Sequence, residues 1–260
     1  MGFLTELTTS IRRGLDARPL DEAALTARAI AMPPPRDFGA ALSGNGVAVI
    51  AEVKRASPSG GPIDVDADPV ATARAYAVGG AVAISVLTEP VHFKGSLLDL
   101  RAVRLAVGVP VLRKDFLVHP AQVIEARAHG ADAVLLITAC LDDAELRAML
   151  ALAADLGMAS LVETHAERDL DRALATGAGL IGVNARDLET LEVSREGALG
   201  MLGRIPADRV GVIESGISTR ADVEAAAAAG ASAILVGEAL MRAADPAAKL
   251  RELRGEESGG

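Results

Sequence analysis

Lys114 and Glu163 are the two residues around which a reaction is most easily drawn. Lysine is scarce in this chain. Of 26 basic residues only Lys54, Lys94, Lys114 and Lys249 are lysines, and the rest are arginines. The bulk trend fits codon bias in a GC-rich genome. A lysine kept against it suits a place that needs a compact ammonium with a tunable pKa. Lys54 and Lys114 stand at the ends of short aliphatic runs, as do Glu52, Glu163, Asn184, Glu214 and Glu238. An ammonium can donate a proton or stabilise an oxyanion, and a carboxylate can accept a proton. Each residue also has a plain structural reading. Lys114 can pair with Asp115 or a nearby glutamate, Lys54 can neutralise Glu52, and Glu163 can be a buried ion-pair partner.

The elements that must position these groups repeat regularly. Aliphatic runs occur at Val47–Val53, Ala83–Leu87, Val109–Leu112, Ala133–Ile137, Ser160–Val162, Leu180–Val183, Val210–Ile213 and Ala233–Val236. Amphipathic segments separate them, among them Asp68–Val78, Pro120–Ala128, Asp142–Leu156, Ala166–Ala175 and Thr219–Ala229. Strands joined by helix-length crossovers are parallel. Eight such units in 260 residues predict an α/β fold, a (β/α)8 TIM barrel. An open doubly wound sheet is the alternative. A short motif recurs at Gly79-Gly80-Ala81, Gly130-Ala131, Gly177-Ala178 and Gly230-Ala231, where a helix ends at glycine and a strand begins. Before the barrel, Phe3–Leu15 carries a helical pattern, and Asp21 can cap a second helix to about Ala31 that Pro33-Pro34-Pro35 stops. One domain is expected, with a helical extension over 1–45, the barrel over 46–253 and a polar, flexible tail over 254–260.

Barrel enzymes carry their chemistry at the C-terminal strand ends. The first strand ends in Glu52 and Lys54, alternate residues that share one face. The third ends in Arg113-Lys114-Asp115, the fifth in Glu163, the sixth in Asn184 with Arg186 beyond. The seventh and eighth end in Glu214-Ser215-Gly216 and Gly237-Glu238. Glycines on these last two strands let backbone N–H groups approach an anion, the usual barrel phosphate site, unless they only make tight turns. The loop Ser57-Pro58-Ser59-Gly60-Gly61-Pro62 reads as a lid or a surface turn, with Ser57 near enough to donate to phosphate.

Composition narrows the functions. Half the residues are hydrophobic but only 2% are aromatic, so the core is aliphatic. The net charge of −9, without a basic stripe, argues against nucleic acid as a partner. No apolar run is long enough to span a bilayer and no signal peptide is evident, so a cytoplasmic protein without a membrane partner is expected. A monomer is expected over an obligate oligomer. Cys140 is the only cysteine and reads as packing. His92, His119, His129 and His165 lack metal-ligand spacing, and His165, two residues after Glu163, reads as a loop residue. Gly44-Asn45-Gly46 precedes a strand and is not a dinucleotide loop.

These residues sit in segments that resemble one family. Ile50-Ala51-Glu52-Val53-Lys54-Arg55-Ala56-Ser57-Pro58-Ser59 resembles the opening motif of indole-3-glycerol phosphate synthases. So do Ser85-Val86-Leu87-Thr88-Glu89, Phe93-Lys94-Gly95-Ser96 and Pro110-Val111-Leu112-Arg113-Lys114-Asp115-Phe116. Leu161-Val162-Glu163, Ile181-Gly182-Val183-Asn184-Ala185-Arg186-Asp187-Leu188, Glu214-Ser215-Gly216-Ile217 and Leu235-Val236-Gly237-Glu238 follow, and Pro33-Pro34-Pro35-Arg36-Asp37-Phe38 looks like the family's N-terminal extension. The resemblance covers about residue 3 to Leu253. It implies a phosphorylated small-molecule substrate, 1-(2-carboxyphenylamino)-1-deoxyribulose 5-phosphate. That substrate undergoes ring closure, decarboxylation and dehydration without metal or organic cofactor.

The resemblance also implies roles. Lys114 is the general acid at the ketone oxygen, and Glu163 the base. Enclosure in a barrel mouth is expected to lower the Lys114 pKa toward the working pH. Lys54 holds the substrate carboxylate and serves as a second acid in dehydration. Glu52 and Asn184 orient lysines and substrate hydroxyls, with Arg186 and Glu214 behind them. Ser57, Ser215, Gly216, Gly237 and the Glu238 backbone hold phosphate. Phe93 and Phe116 touch the substrate's aromatic ring, with Leu135 and Ile137 as apolar wall. Gly60 and Ala185 depart from the family's usual lysine and Asn or Ser. The rivals are a sugar-phosphate isomerase, a Schiff-base aldolase using Lys114, and a catalytically silent phosphosugar-binding barrel.

Overall fold

The aliphatic runs are the staves of a closed barrel. In a computed structural model that describes residues 2–44 and 46–256, eight parallel strands pair in sequence order and the last closes on the first. They are β1 (Ala48–Val53), β2 (Ala83–Leu87), β3 (Val111–Lys114), β4 (Ala133–Ile137), β5 (Ala159–Thr164), β6 (Leu180–Asn184), β7 (Val210–Glu214) and β8 (Ala233–Val236). The seam pairs Ala48 with Ala233 and Ala51 with Val236. The expected third strand begins two residues late. Pro110 has no N–H to give to a ladder, and pairing continues instead to Lys114, opposite Leu87.

The helices are α1 (Phe3–Ala17), α2 (Glu22–Ala31), α3 (Phe38–Leu42), α4 (Pro69–Val78), α5 (Leu97–Ala106), α6 (Pro120–Ala128), α7 (Asp143–Asp155), α8 (Glu167–Ala175), α9 (Arg195–Leu202), α10 (Arg220–Ala228), α11 (Glu238–Met241) and α12 (Pro246–Arg254). Short polar side chains start many of them. Asp21, Asp37, Asp68, Ser96, Asp142, Thr219 and Asp245 each accept from a first-turn N–H, which satisfies donors that have no partner within the helix. The recurrent turn behaves as its sequence requires: Gly80, Gly130, Gly177 and Gly230 all take φ between 78° and 94°, open to glycine at little cost. Arg254, expected in the tail, still belongs to α12, and Gly255 caps that helix with φ 76°. The rest of the expected tail, 257–260, lies outside the described residues, as does Asn45 of the Gly44–Gly46 loop.

Two apolar layers follow from the alternation of strand side chains. Outward residues such as Val49, Ile84, Val134 and Ile213 pack against the helices. Inward residues such as Ile50, Leu112, Leu161 and Val212 fill the barrel. Leu4, Leu7, Phe38 and Leu42 of the N-terminal extension join that inner layer. The extension is therefore more than a lead-in. Its α3 plugs the bottom, α2 packs on α6 through Leu25 and Ala29, and α1 crosses the top, where Arg12 bonds the Val118 and Cys140 carbonyls.

Asp132 ties the extension to the bottom of the barrel. It is fully buried and accepts from the Arg36 amide at 2.7 Å, the Val111 amide at 2.8 Å and Arg104 Nε at 3.0 Å. Removing it leaves a buried guanidinium and two amides without their acceptor. Asp132→Ala is expected to cost about 3–5 kcal/mol of unfolding free energy, measured by urea titration. A loss within the range of an ordinary surface substitution would mean that the clamp carries no stability.

Candidate active site

All sixteen residues given a role from the sequence line one cleft at the C-terminal rim of the barrel, with about 940 Å3 of empty space that opens to solvent. Glu52 and Lys54 come from the end of β1, Lys114 from β3, Leu135 and Ile137 from β4, Glu163 from β5, Asn184 from β6 and Glu214 from β7. The loops that follow the strands supply Ser57, Phe93, Phe116, Arg186, Ser215, Gly216, Gly237 and Glu238.

Lys114 is the hub. Its Nζ donates to Glu163 Oε2 at 3.0 Å and stands 3.2 Å from Glu214 Oε2. Asp115, the alternative partner, faces away, paired with Arg113 at 3.0 Å and bonded to Thr88. The expected lowering of the Lys114 pKa is corrected. Burial does act in that direction, but the fields of Glu163, Glu214 and Glu52, with the Glu163 hydrogen bond, outweigh it and raise the pKa above the ordinary lysine range. The same balance acts in reverse on Glu214. Its side chain is 1% exposed, and neither oxygen has a well-aligned hydrogen-bond donor. Burial, reinforced by Glu163 and opposed by Lys114, pushes its carboxyl up to about 8.

The second lysine is also paired: Lys54 Nζ lies 3.0 Å from Glu52 Oε1. Around Glu163 a relay forms. Asn184 Nδ2 donates to Glu163 Oε1 at 3.1 Å, and Asn184 Oδ1 accepts from Ser215 Oγ at 2.8 Å and the Arg186 amide at 3.0 Å. Thr138 Oγ1 donates to the Glu163 carbonyl at 2.9 Å. Glu163 is thereby fixed by neighbours on β3 and β6, and Asn184 is fixed in turn by the loop that contains Ser215.

At the other end of the cleft Ser215 and Gly216 take φ 67° and 73°, a left-handed turn that is costly for serine and is held by its bond to Asn184. Gly237 is a glycine for a reason beyond the anion approach that the sequence suggested. Its φ is an ordinary −122°, but a Cβ there would stand 2.5 Å from Glu52 Oε1. The space belongs to the Glu52 carboxylate. Ser57 lies on a short antiparallel pair, Ala56–Ser57 with Gly61–Pro62, and its Oγ accepts from the Gly60 amide at 3.0 Å. Opposite, Phe93 and Phe116 lie with ring centroids 6.1 Å apart.

Several cleft residues escaped the sequence reading. Phe3, from the N-terminal helix, meets Phe116 edge-on at 6.4 Å; nothing in the sequence ties it to a barrel rim. Leu188 and Leu191 enter the cleft from the loop after β6. Gly182 had a signal that went unused, a glycine inside a strand. A Cβ on it would lie 2.3 Å from Glu214 Oε1, so its bareness makes room for the buried carboxyl. His165 is more than a loop residue: its ring bonds the Asn184 carbonyl and faces Asp187.

A carboxyl with a raised folded pKa binds a proton more tightly in the folded chain than in the unfolded one. Its stabilising share is complete below the unfolded pKa and is lost as pH rises through the folded value. The stability of the wild type relative to Glu214→Gln is therefore expected to fall by a few kcal/mol between about pH 4.5 and about 8 and to level off beyond. Urea unfolding of both proteins across that range measures it. A difference independent of pH would mean that Glu214 ionises as an ordinary glutamate.

Comparison with known proteins places the chain in a family. The sequence profile of the family described as "Indole-3-glycerol phosphate synthase" matches residues 6–253. The chain is 54% identical over 229 residues to the indole-3-glycerol phosphate synthase of Mycobacterium avium, covering 88% of this chain and 84% of that one. It is 50% identical over 261 residues to the enzyme of that name from Micrococcus luteus, covering 98% and 97%. Among solved structures, 3-hexulose-6-phosphate synthase from Salmonella typhimurium aligns with a TM-score of 0.65 at 16% identity, over 80% of this chain and 97% of that one, which shows the barrel alone. The chain belongs to the indole-3-glycerol phosphate synthase family.

Proposed function

We propose that the chain closes the indole ring of 1-(2-carboxyphenylamino)-1-deoxyribulose 5-phosphate with Lys114 as general acid and Glu163 as general base. The observation that carries this reading is the buried Lys114–Glu163 hydrogen bond of 3.0 Å in the shared cleft. In ring closure the aryl carbon attacks the ketone carbon, and the carbonyl oxygen takes a proton from Lys114. Carbon dioxide then leaves the aryl carbon. Removal of the nitrogen-bound proton by Glu163, with protonation of the departing hydroxyl, releases water.

The raised pKa of Lys114 suits this task. The group rests as an ammonium, the form that an acid requires, and a developing alkoxide is basic enough to accept its proton. The ammonium field also favours the oxyanion before transfer. The same charge argues against a Schiff-base aldolase, since an ammonium has no lone pair for attack. Lys54 holds the substrate carboxylate by exchanging it for Glu52 and acts as the second acid in dehydration. Glu52 and Asn184 orient the lysines and substrate hydroxyls. The phosphate lies against Ser57, Ser215, Gly216, Gly237 and the first amide of α11, while Phe93, Phe116 and Leu135 face the aromatic ring. Arg186 and Glu214 hold the neighbours of the reacting groups.

Lys114→Ala and Glu163→Gln are each expected to lower kcat by about 10^2–10^4-fold, followed by indole absorbance, with inorganic phosphate binding retained. A near-normal rate in either variant would remove that residue from the mechanism.

A further inference from the structure

β5 ends one residue after Glu163, and the next side chain, His165, turns sideways toward β6. Its Nδ1 lies 2.9 Å from the Asn184 carbonyl oxygen. Its Nε2 lies 3.2 Å from Asp187 Oδ2. Both ring nitrogens thus face acceptors, and a ring protonated on both donates to both.

The two acceptors belong to different parts of the cleft. Asn184 is the residue whose amide group holds Glu163 Oε1, so its backbone position sets where the base points. Asp187 heads the loop after β6. Its Oδ1 accepts from the amides of Glu189 at 2.7 Å and Thr190 at 3.0 Å. Its carbonyl accepts from the Leu191 amide, and its amide donates to the Glu192 carbonyl, both at 2.8 Å. That turn forces Leu191 to φ 65°, an uncommon conformation for a branched side chain, and it presents Leu188 and Leu191 to the cleft. Burial acts to raise the Asp187 pKa, but the Thr190 and Glu189 amides and then His165 hold it below the usual carboxylate range. The free end of the loop rests on the N-terminal helix, where Thr5 Oγ1 donates to Glu189. His165 is the only side chain among the described residues that bonds both to the strand bearing Asn184 and to the head of this loop.

We propose that His165 is a positioning residue that acts as a two-ended clasp. Its Nδ1 end fixes Asn184 and through it the base Glu163, and its Nε2 end fixes the 187–192 loop that roofs the apolar part of the cleft. The first end rests on the role proposed for Glu163, and the second does not. The ends separate because asparagine reproduces the reach of Nδ1 and glutamine that of Nε2.

The test is kcat and KM for 1-(2-carboxyphenylamino)-1-deoxyribulose 5-phosphate in four variants, with thermal midpoints and inorganic phosphate inhibition alongside. His165→Asn and Asp187→Ala are expected to keep kcat and to raise KM about fivefold, because only the roof is freed. His165→Gln is expected to lower kcat about tenfold at unchanged KM, because only the base is misplaced. His165→Phe is expected to show both losses, with phosphate inhibition unchanged throughout. Wild-type kinetics in His165→Phe, or kcat and KM changes that simply follow the thermal midpoint in all four variants, would overturn the clasp. If Glu163→Gln turns over normally, the base assignment fails instead, and the KM effect of Asp187→Ala still decides the roof end.

Discussion

A lysine ammonium enclosed by carboxylates is the interaction on which the mouth of this barrel depends. An unpaired charge at that depth would be costly, and the pairing works in both directions. Lys114 needs Glu163 and Glu214 to stay charged, and the two acids need Lys114 to tolerate each other. The cluster resolves the excess of negative charge by keeping a proton on Glu214 well above the usual range. What surrounds the cluster can be read as its supports. Gly182 and Gly237 leave space for the carboxylates of Glu214 and Glu52, Asn184 and Thr138 fix Glu163, and the Phe3, Phe93 and Phe116 rings dry one side.

The two ends of the barrel divide the work. At the bottom, Asp132 gathers Arg36, Arg104 and the start of β3 into a satisfied buried network, and Phe38 and Leu42 seal the inner layer. At the top, groups are left strained or imperfectly satisfied: Ser215 and Leu191 at positive φ, and the Glu214 oxygens without aligned donors. Backbone strain at the reactive rim, with good packing beneath, is what a preorganised site on a rigid scaffold requires. The N-terminal extension joins both ends, since α1 contributes Phe3 to the cleft while α3 closes the floor.

Much of this was legible in the chain. The barrel could be read because continuous aliphatic runs alternate with amphipathic segments of helix length, and because the glycine turns repeat four times. The site could be read because Lys114, Glu163, Asn184 and Glu214 end their strands, and barrel geometry brings strand ends together. What stayed hidden depends on distances across the barrel. No spacing rule reveals that three carboxylates surround Lys114, so desolvation alone gave the wrong sign for its pKa. Gly237 suggested an anion loop, and that it also leaves space for the Glu52 carboxylate was not visible. Phe3 and His165 act on partners more than a dozen residues away in sequence, which local pattern does not encode.

The protonation state of Lys114 tests the central claim most directly. Nuclear magnetic resonance of its side-chain nitrogen and Cε, titrated in the ligand-free protein, reads that state without turnover. The carboxylate cage predicts an ammonium that persists past about pH 10 and a lower titration point when Glu214 or Glu163 is made neutral. A free amine near neutral pH would mean that desolvation prevails and that the carboxylates do not hold the charge on Lys114.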